Sequence, residues 1–147
     1  MRFKLLSQGD HGRTFALVLD PGEEAFGAIR AFAAREGIDG AQVTAIGAFS
    51  SAVVGFFDFE RKGYARIPVD EQCEALSALG DIAQDEEGMP SLHMHVVLGL
   101  SDGSCKGGHL LEARVNPTLE VIVTESPKAL CRRKQEGLGV ALLDLED

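Results

Sequence analysis

The sequence predicts an α+β domain, a mostly antiparallel sheet flanked by two helices. Three observations carry that prediction. A helix-period stripe stands near the start. A long succession of strand-like runs follows with no helix between them. A second cap-then-proline start stands near the end. Regular alternation of strand and helix, the mark of a doubly wound sheet, is missing.

Residues 3–6 open a short strand, Gln8-Gly9-Asp10-His11-Gly12 reads as a turn, and residues 14–19 form the returning strand of a hairpin. Asp20-Pro21-Gly22-Glu23 is a helix start with a mechanism. Asp20 is the N-cap acceptor, Pro21 suits the first helical position, and Glu23 takes the capping-box position. Ala25, Phe26, Ile29, Phe32 and Ala33 then make an apolar stripe, which Gly37 stops. Strand-like runs follow at 41–48, 52–59, 65–69 and 73–82, punctuated by Gly47, residues 58–63 and residues 70–72.

Val53-Val54-Gly55-Phe56-Phe57 is apolar on both faces, so it is buried inside the domain or against another subunit. Asp85 to Pro90 is an acidic, exposed loop. Residues 92–100 and 105–115 form a hairpin around Ser101-Asp102-Gly103, and residues 119–124 add a strand. Ser126-Pro127 starts the second helix, which runs to Gly137 with Lys128, Arg132, Arg133 and Lys134 on its solvated face. Residues 140–145 close the sheet. With no repeat, linker or low-complexity tract, residues 1–147 read as one domain.

Composition narrows the function. Fourteen Lys and Arg against 23 Asp and Glu give a net charge of −9, which disfavours nucleic acid binding by this chain alone. No apolar run approaches the ~20 residues of a membrane span. The opening residues lack the apolar core and cleavage site of a secretory signal, so the cytoplasm is the expected compartment. Cys73, Cys105 and Cys131 form no CxxC pair and no disulfide framework.

The chemistry lies in the histidines. His93 and His95 are two apart on a predicted strand and share a face. If Ser101-Asp102-Gly103 is a three-residue loop, Leu100 pairs with Ser104 and His109 falls opposite His95, with His93 diagonally in reach. A two-residue loop sends His109 to the other face.

Three neutral imidazoles suit a divalent metal, zinc foremost, and also iron, nickel or copper. They leave a coordination position open for water, which the metal can activate, or for a small molecule. Cys105 lies four residues from His109, and Glu112 and Arg114 alternate onto the opposite face. Glu74, on an otherwise core-like strand, is the candidate catalytic residue, as acceptor for a histidine N–H or as proton shuttle. Its other reading is an edge-exposed glutamate. His11 reads as a surface residue.

Residues 46–52, residues 73–83, Leu92-His93-Met94-His95-Val96 and Lys106-Gly107-Gly108-His109-Leu110-Leu111 together resemble the plants-and-prokaryotes-conserved (PPC or PCC) domain, stand-alone bacterial type. The resemblance runs from Phe15 to about Ser126, and HxH followed by GGHL is its most specific part. It implies an α+β fold with an antiparallel sheet, a homotrimer, and a metal site at His93, His95 and His109. In plants the domain follows AT-hooks in nuclear DNA-binding proteins, and stand-alone bacterial members inherit that DNA-binding label. This chain has no Arg-Gly-Arg hook and no basic extension. The leading expectation is therefore a metal-binding trimer with Val53 to Phe57 as the trimer contact. A metal-dependent hydrolase or lyase, with Glu74 as base, is the second, and a DNA-associated regulator the third.

Overall fold

A computed structural model describes residues 1–145, which form nine strands and one helix. In order these are β1 (Arg2–Gly9), β2 (Gly12–Leu19), α1 (Ala25–Glu36), β3 (Gly40–Asp58), β4 (Gly63–Val69), β5 (Cys73–Gln84), β6 (Pro90–Gly99), β7 (Cys105–Glu125), β8 (Cys131–Lys134) and β9 (Ala141–Asp144). All belong to one sheet, ordered β1-β2-β7-β3-β5-β8-β9, with β4 on β3 and with β6 joined to both β5 and β7. The pairings of β3 with β5, β5 with β6, β6 with β7 and β7 with β3 close a ring of strands. Every ladder is antiparallel except the single parallel contact of Gln84 with Cys131.

The core fills one side of this sheet and α1 covers it. Ile29, Phe32 and Ala33 are fully buried in the same apolar cluster as Leu17, Leu19 and Val121. Phe32 meets Phe15 and Phe3 edge-on, with ring centroids 5.2 and 5.3 Å away. Burying a ring of that size contributes about 1.5–3 kcal/mol.

The apolar stripe of α1 and its Gly37 stop are as expected, but the helix begins later than the cap signal at Asp20. The Asp20 carboxylate is occupied by the Met1 amine at 3.1 Å and by Arg2 at 3.2 Å. Gly22 N–H meanwhile donates to Val115 O at 2.8 Å, pinning the 20–23 segment as a turn against β7. Glu24 caps instead, its carboxylate accepting from Phe26 N and Gly27 N.

Two pairs of expected strands merge. The runs at 41–48 and 52–59 are one 19-residue β3, and those at 105–115 and 119–124 are one 21-residue β7. Bulges let each long strand bend and change partners along its length. Val53 to Phe57 lies within β3, paired by β4 on one edge and β7 on the other. Val54 enters the core, while Phe56 stays 68% exposed.

The second helix does not form among the described residues. The segment expected to be helical contains β8, and its backbone is tied to neighbouring strands. Leu130 N–H donates to Asp39 O, and Leu130 O accepts from Gln84 N–H. Residues 128–136 contain good helix formers, but a helix there would bury no apolar stripe. Propensity worth at most ~0.7 kcal/mol per residue yields to that pairing. Arg132, expected on a solvated face, is 6% exposed.

A charge clamp joins β2 to the end of β7. Arg13 grips Glu125 with Nε and Nη2 at 2.7 and 2.5 Å, and the Arg13 backbone N–H adds a third bond at 2.8 Å. The bonds from Arg13 hold the Glu125 carboxyl below its ordinary value. A depressed carboxyl stabilises the fold above its unfolded pKa, and that stabilisation is lost as pH falls through the folded value. Glu125→Gln should cost about 1–3 kcal/mol in urea unfolding at pH 7, and the difference from wild type should shrink at pH 3. A pH-independent difference contradicts the ionised clamp.

Candidate metal centre

The β6–β7 turn sets the site. Leu100 N–H donates to Ser104 O at 2.9 Å, Gly103 N–H returns to Leu100 O, and Gly103 takes a left-handed φ of +82°. The loop is therefore the three-residue one, and His95 pairs directly with His109. Leu92, Met94, Val96 and Leu110 point into the core, so His93, His95 and His109 share the outer face.

The three rings converge. His93 Nε2 and His95 Nε2 stand 3.2 Å apart, and the ring centroids of the three pairs are 5.0 to 5.5 Å apart. One nitrogen from each ring falls within 4.8 Å of the others. Two nitrogens bound ~2.0–2.1 Å from a tetrahedral zinc would lie about 3.3 Å apart, the spacing that His93 and His95 already have. His109 Nδ1 is buried and has no hydrogen-bond partner, an unmet need that a metal or a donor would satisfy. Burial, with the charges of His93, His95 and Arg132 adding to it, pushes the His109 imidazole down to about 4. Partial burial, then the charge of His93, also lowers His95. Both are thereby kept neutral at pH 7, the form that ligates metal.

Residues around the rings hold them in place. Tyr64 of β4 stacks on His109 with centroids 4.5 Å apart and planes 22° apart. The stack needs the glycine at position 55, where a Cβ would come within 2.8 Å of the Tyr64 ring. Asp81 of β5 is paired with His93 across the ladder, and its Oδ2 lies 3.8 Å from His93 Nδ1. Arg132 of β8 donates through Nη2 to Asp81 Oδ1, and the same nitrogen stands 3.3 Å from His93 Nδ1. Burial alone would push the Asp81 carboxyl up. The His93 imidazole beside it, the bond from Arg132 and the Arg132 charge outweigh it and hold the carboxyl below its ordinary value. A carboxylate on the rear nitrogen of a ligating histidine orients the ring and fixes its tautomer.

The structure therefore brings His93, His95 and His109 together and leaves Glu74 apart. Glu74 is exposed and pairs with Gly99, four residues from His95 on β6 and roughly 13 Å along the strand. Cys105 stands equally far off on β7, and His11 is exposed in the β1–β2 turn. Glu112 and Arg114 are a correction. A bulge at Leu111, where Val53 pairs with Glu112 but Val54 with Leu110, turns both to the histidine side of the sheet. Glu112 is engaged there by Arg66, and Arg114 donates to Gly22 O. Sequence reasoning missed Tyr64, Asp81 and Arg132. Asp81 alone carried a signal, as the one carboxylate on the second half of a strand otherwise apolar or small.

Among the described residues no helix is long and apolar enough to cross a membrane. No curated protein matches the sequence significantly. Solved structures do. A plant- and prokaryote-conserved (PPC) protein from Pyrococcus horikoshii is 31% identical, with a TM-score of 0.85 over 99% of this chain and 96% of that one. A metal-containing protein from Archaeoglobus fulgidus is 36% identical, with a TM-score of 0.82 over 97% of each chain. A protein from Bacteroides thetaiotaomicron, provisionally named DNA-binding, is 27% identical with a TM-score of 0.88 over 99% of each. Residues 6–127 match the Plants and Prokaryotes Conserved (PCC) domain, and the protein belongs to that family.

Proposed function

We propose that this PCC-domain protein is a homotrimeric metal-binding protein, with zinc held by His93, His95 and His109. The carrying observation is the convergence of one nitrogen from each ring within 4.8 Å. The depressed protonation of His95 and His109 and the carboxylate behind His93 support the same reading. The metal-containing relative from Archaeoglobus fulgidus, 36% identical, adds weight. When bound with three protein ligands, a divalent metal supplies Lewis-acid chemistry at an open coordination position.

The trimer reading rests on the outer face of the sheet. Ile46, Leu76, Leu79, Val97 and Ile122 stand exposed there, a breadth of apolar surface that water covers poorly. A closed three-fold ring needs two different, complementary patches. Phe56 and Phe59 at the β3–β4 tip supply a second exposed apolar patch, in place of the whole run from Val53 to Phe57. Leu79 pairs with His95, so assembly through this face brings the metal centre to a subunit boundary.

A hydrolase or lyase reading is favoured by one observation, a cleft of about 380 Å³ opening beside His93 and His109. The DNA-associated reading, which the name of the Bacteroides relative suggests, has a net charge of −9 against it.

Elemental mass spectrometry of untagged protein should find about one zinc per chain. The double variant His93→Ala/His109→Ala should hold less than about a tenth of that, and Asp81→Asn should weaken affinity roughly 10–100-fold against a competing chelator. Metal retained by the double variant, or none taken up by wild type, contradicts the centre. Light scattering at micromolar concentration should give three times the 15.7 kDa chain mass, and Leu79→Lys should lower it. A monomeric wild type refutes the trimer.

A further inference from the structure

The cleft beside the histidines has a composition at odds with the rest of the molecule. It lies between the outer face of the sheet and the 139–142 segment leading into β9. The chain carries 23 acidic residues, yet no carboxylate lines this cleft among the described residues. The one charged side chain in its wall is Arg132. Asp81, the partner of Arg132, faces a different groove, beside Gln42 and Thr124. Ser91, His93, His109 and Tyr64 complete the polar wall, and Phe57, Leu92, Val140 and Leu142 supply an apolar one.

Arg132 is itself only partly used. More than nine-tenths of it is buried, Nη2 donates to Asp81 and stands 3.3 Å from His93 Nδ1, and Nε has no partner. A guanidinium is a planar fork whose parallel N–H groups match the two oxygens of a carboxylate. A buried donor left without an acceptor is costly, so a fork with an unmade bond in a carboxylate-free wall selects an anion. The volume, about 380 Å³, falls in the range of small-molecule sites.

We propose that this cleft binds a small monocarboxylate with an apolar body, its charged end on Arg132 and its chain against Phe57, Leu92, Val140 and Leu142. This deepens the metal-centre reading by naming the ligand class, and it places the anion beside the three histidines. Arg132 is the binding residue and Asp81 the residue that positions it.

The sequence supplies its own probe. Tyr64 is the only tyrosine and there is no tryptophan, so tyrosine emission reports directly on the cleft wall. The full chain, zinc-loaded and metal-free, is titrated with butyrate, butan-1-ol and phosphate, with zinc content measured on the same samples. Butyrate should give a saturable change, butan-1-ol at equal concentration none, and phosphate should bind at least about ten-fold more weakly. Arg132→Lys keeps a charge for Asp81 but loses the fork, and should weaken butyrate binding at least about ten-fold. Should that variant not fold, Val140→Glu places a negative charge in the wall, and should abolish butyrate binding while leaving zinc uptake intact. No saturable response to butyrate, an equal response to butan-1-ol, or unchanged binding by a folded Arg132→Lys overturns the proposal. Zinc uptake without butyrate binding discards the carboxylate site alone. Butyrate binding with no zinc uptake discards the metal centre alone.

Discussion

Leu100 and Ser104 close the β6–β7 turn around three residues, and the rest of the site follows from that closure. Strand side chains alternate with period two, so a loop shorter by one residue would turn His109 to the other face. With this register, His109 lies beside His95, Leu110 enters the core, and Gly55 falls next to His109 on the following strand. The core residues of the hairpin and the ligand residues depend on the same choice. Burial of Leu92, Met94, Val96 and Leu110 thus drives the fold in the direction that assembles the histidines.

Three histidines in register are not yet an oriented site. Asp81 and Arg132 do the orienting, and they come from neighbouring strands of the sheet, β5 and β8, whose positions in sequence are 51 residues apart. Arg132 is held in its buried position by the Asp81 carboxylate, which accepts from it beside His93. That attachment holds the 131–134 segment as a strand, where local propensity favours a helix. The chain forgoes a surface helix and gains a guanidinium behind its histidines. The same guanidinium lines the cleft, so the element that overrides the local preference is also the one that gives the cleft its charge.

Legibility in the sequence followed the range of the interactions. Short-range signals translated directly: the α1 stripe, the Gly37 stop and the HxH face all depend on neighbours in the chain, whereas the length of the 101–103 loop stayed open between two and three residues. The cap at Asp20 failed because the Met1 amine, 19 residues away, claimed the carboxylate. The merging of strand runs into β3 and β7 was hidden because the sequence shows gaps between the runs, where the sheet continues through bulges. Tyr64, Asp81 and Arg132 reach the histidines only across strand pairings 30 or more residues apart in sequence for Tyr64 and Arg132, which no local pattern records. Glu74 and Asp81 illustrate the difference. Both lie on β5, but only pairing with β6 reveals which stands beside a histidine.

The claim at the centre of this account is that His93, His95 and His109 act as one ligand set. X-ray absorption at the zinc edge of the loaded protein tests it most directly. The account predicts three imidazole nitrogens at about 2.0–2.1 Å and one further oxygen or nitrogen scatterer, with no sulfur. Two or fewer imidazoles, or a sulfur contribution near 2.3 Å, would contradict it.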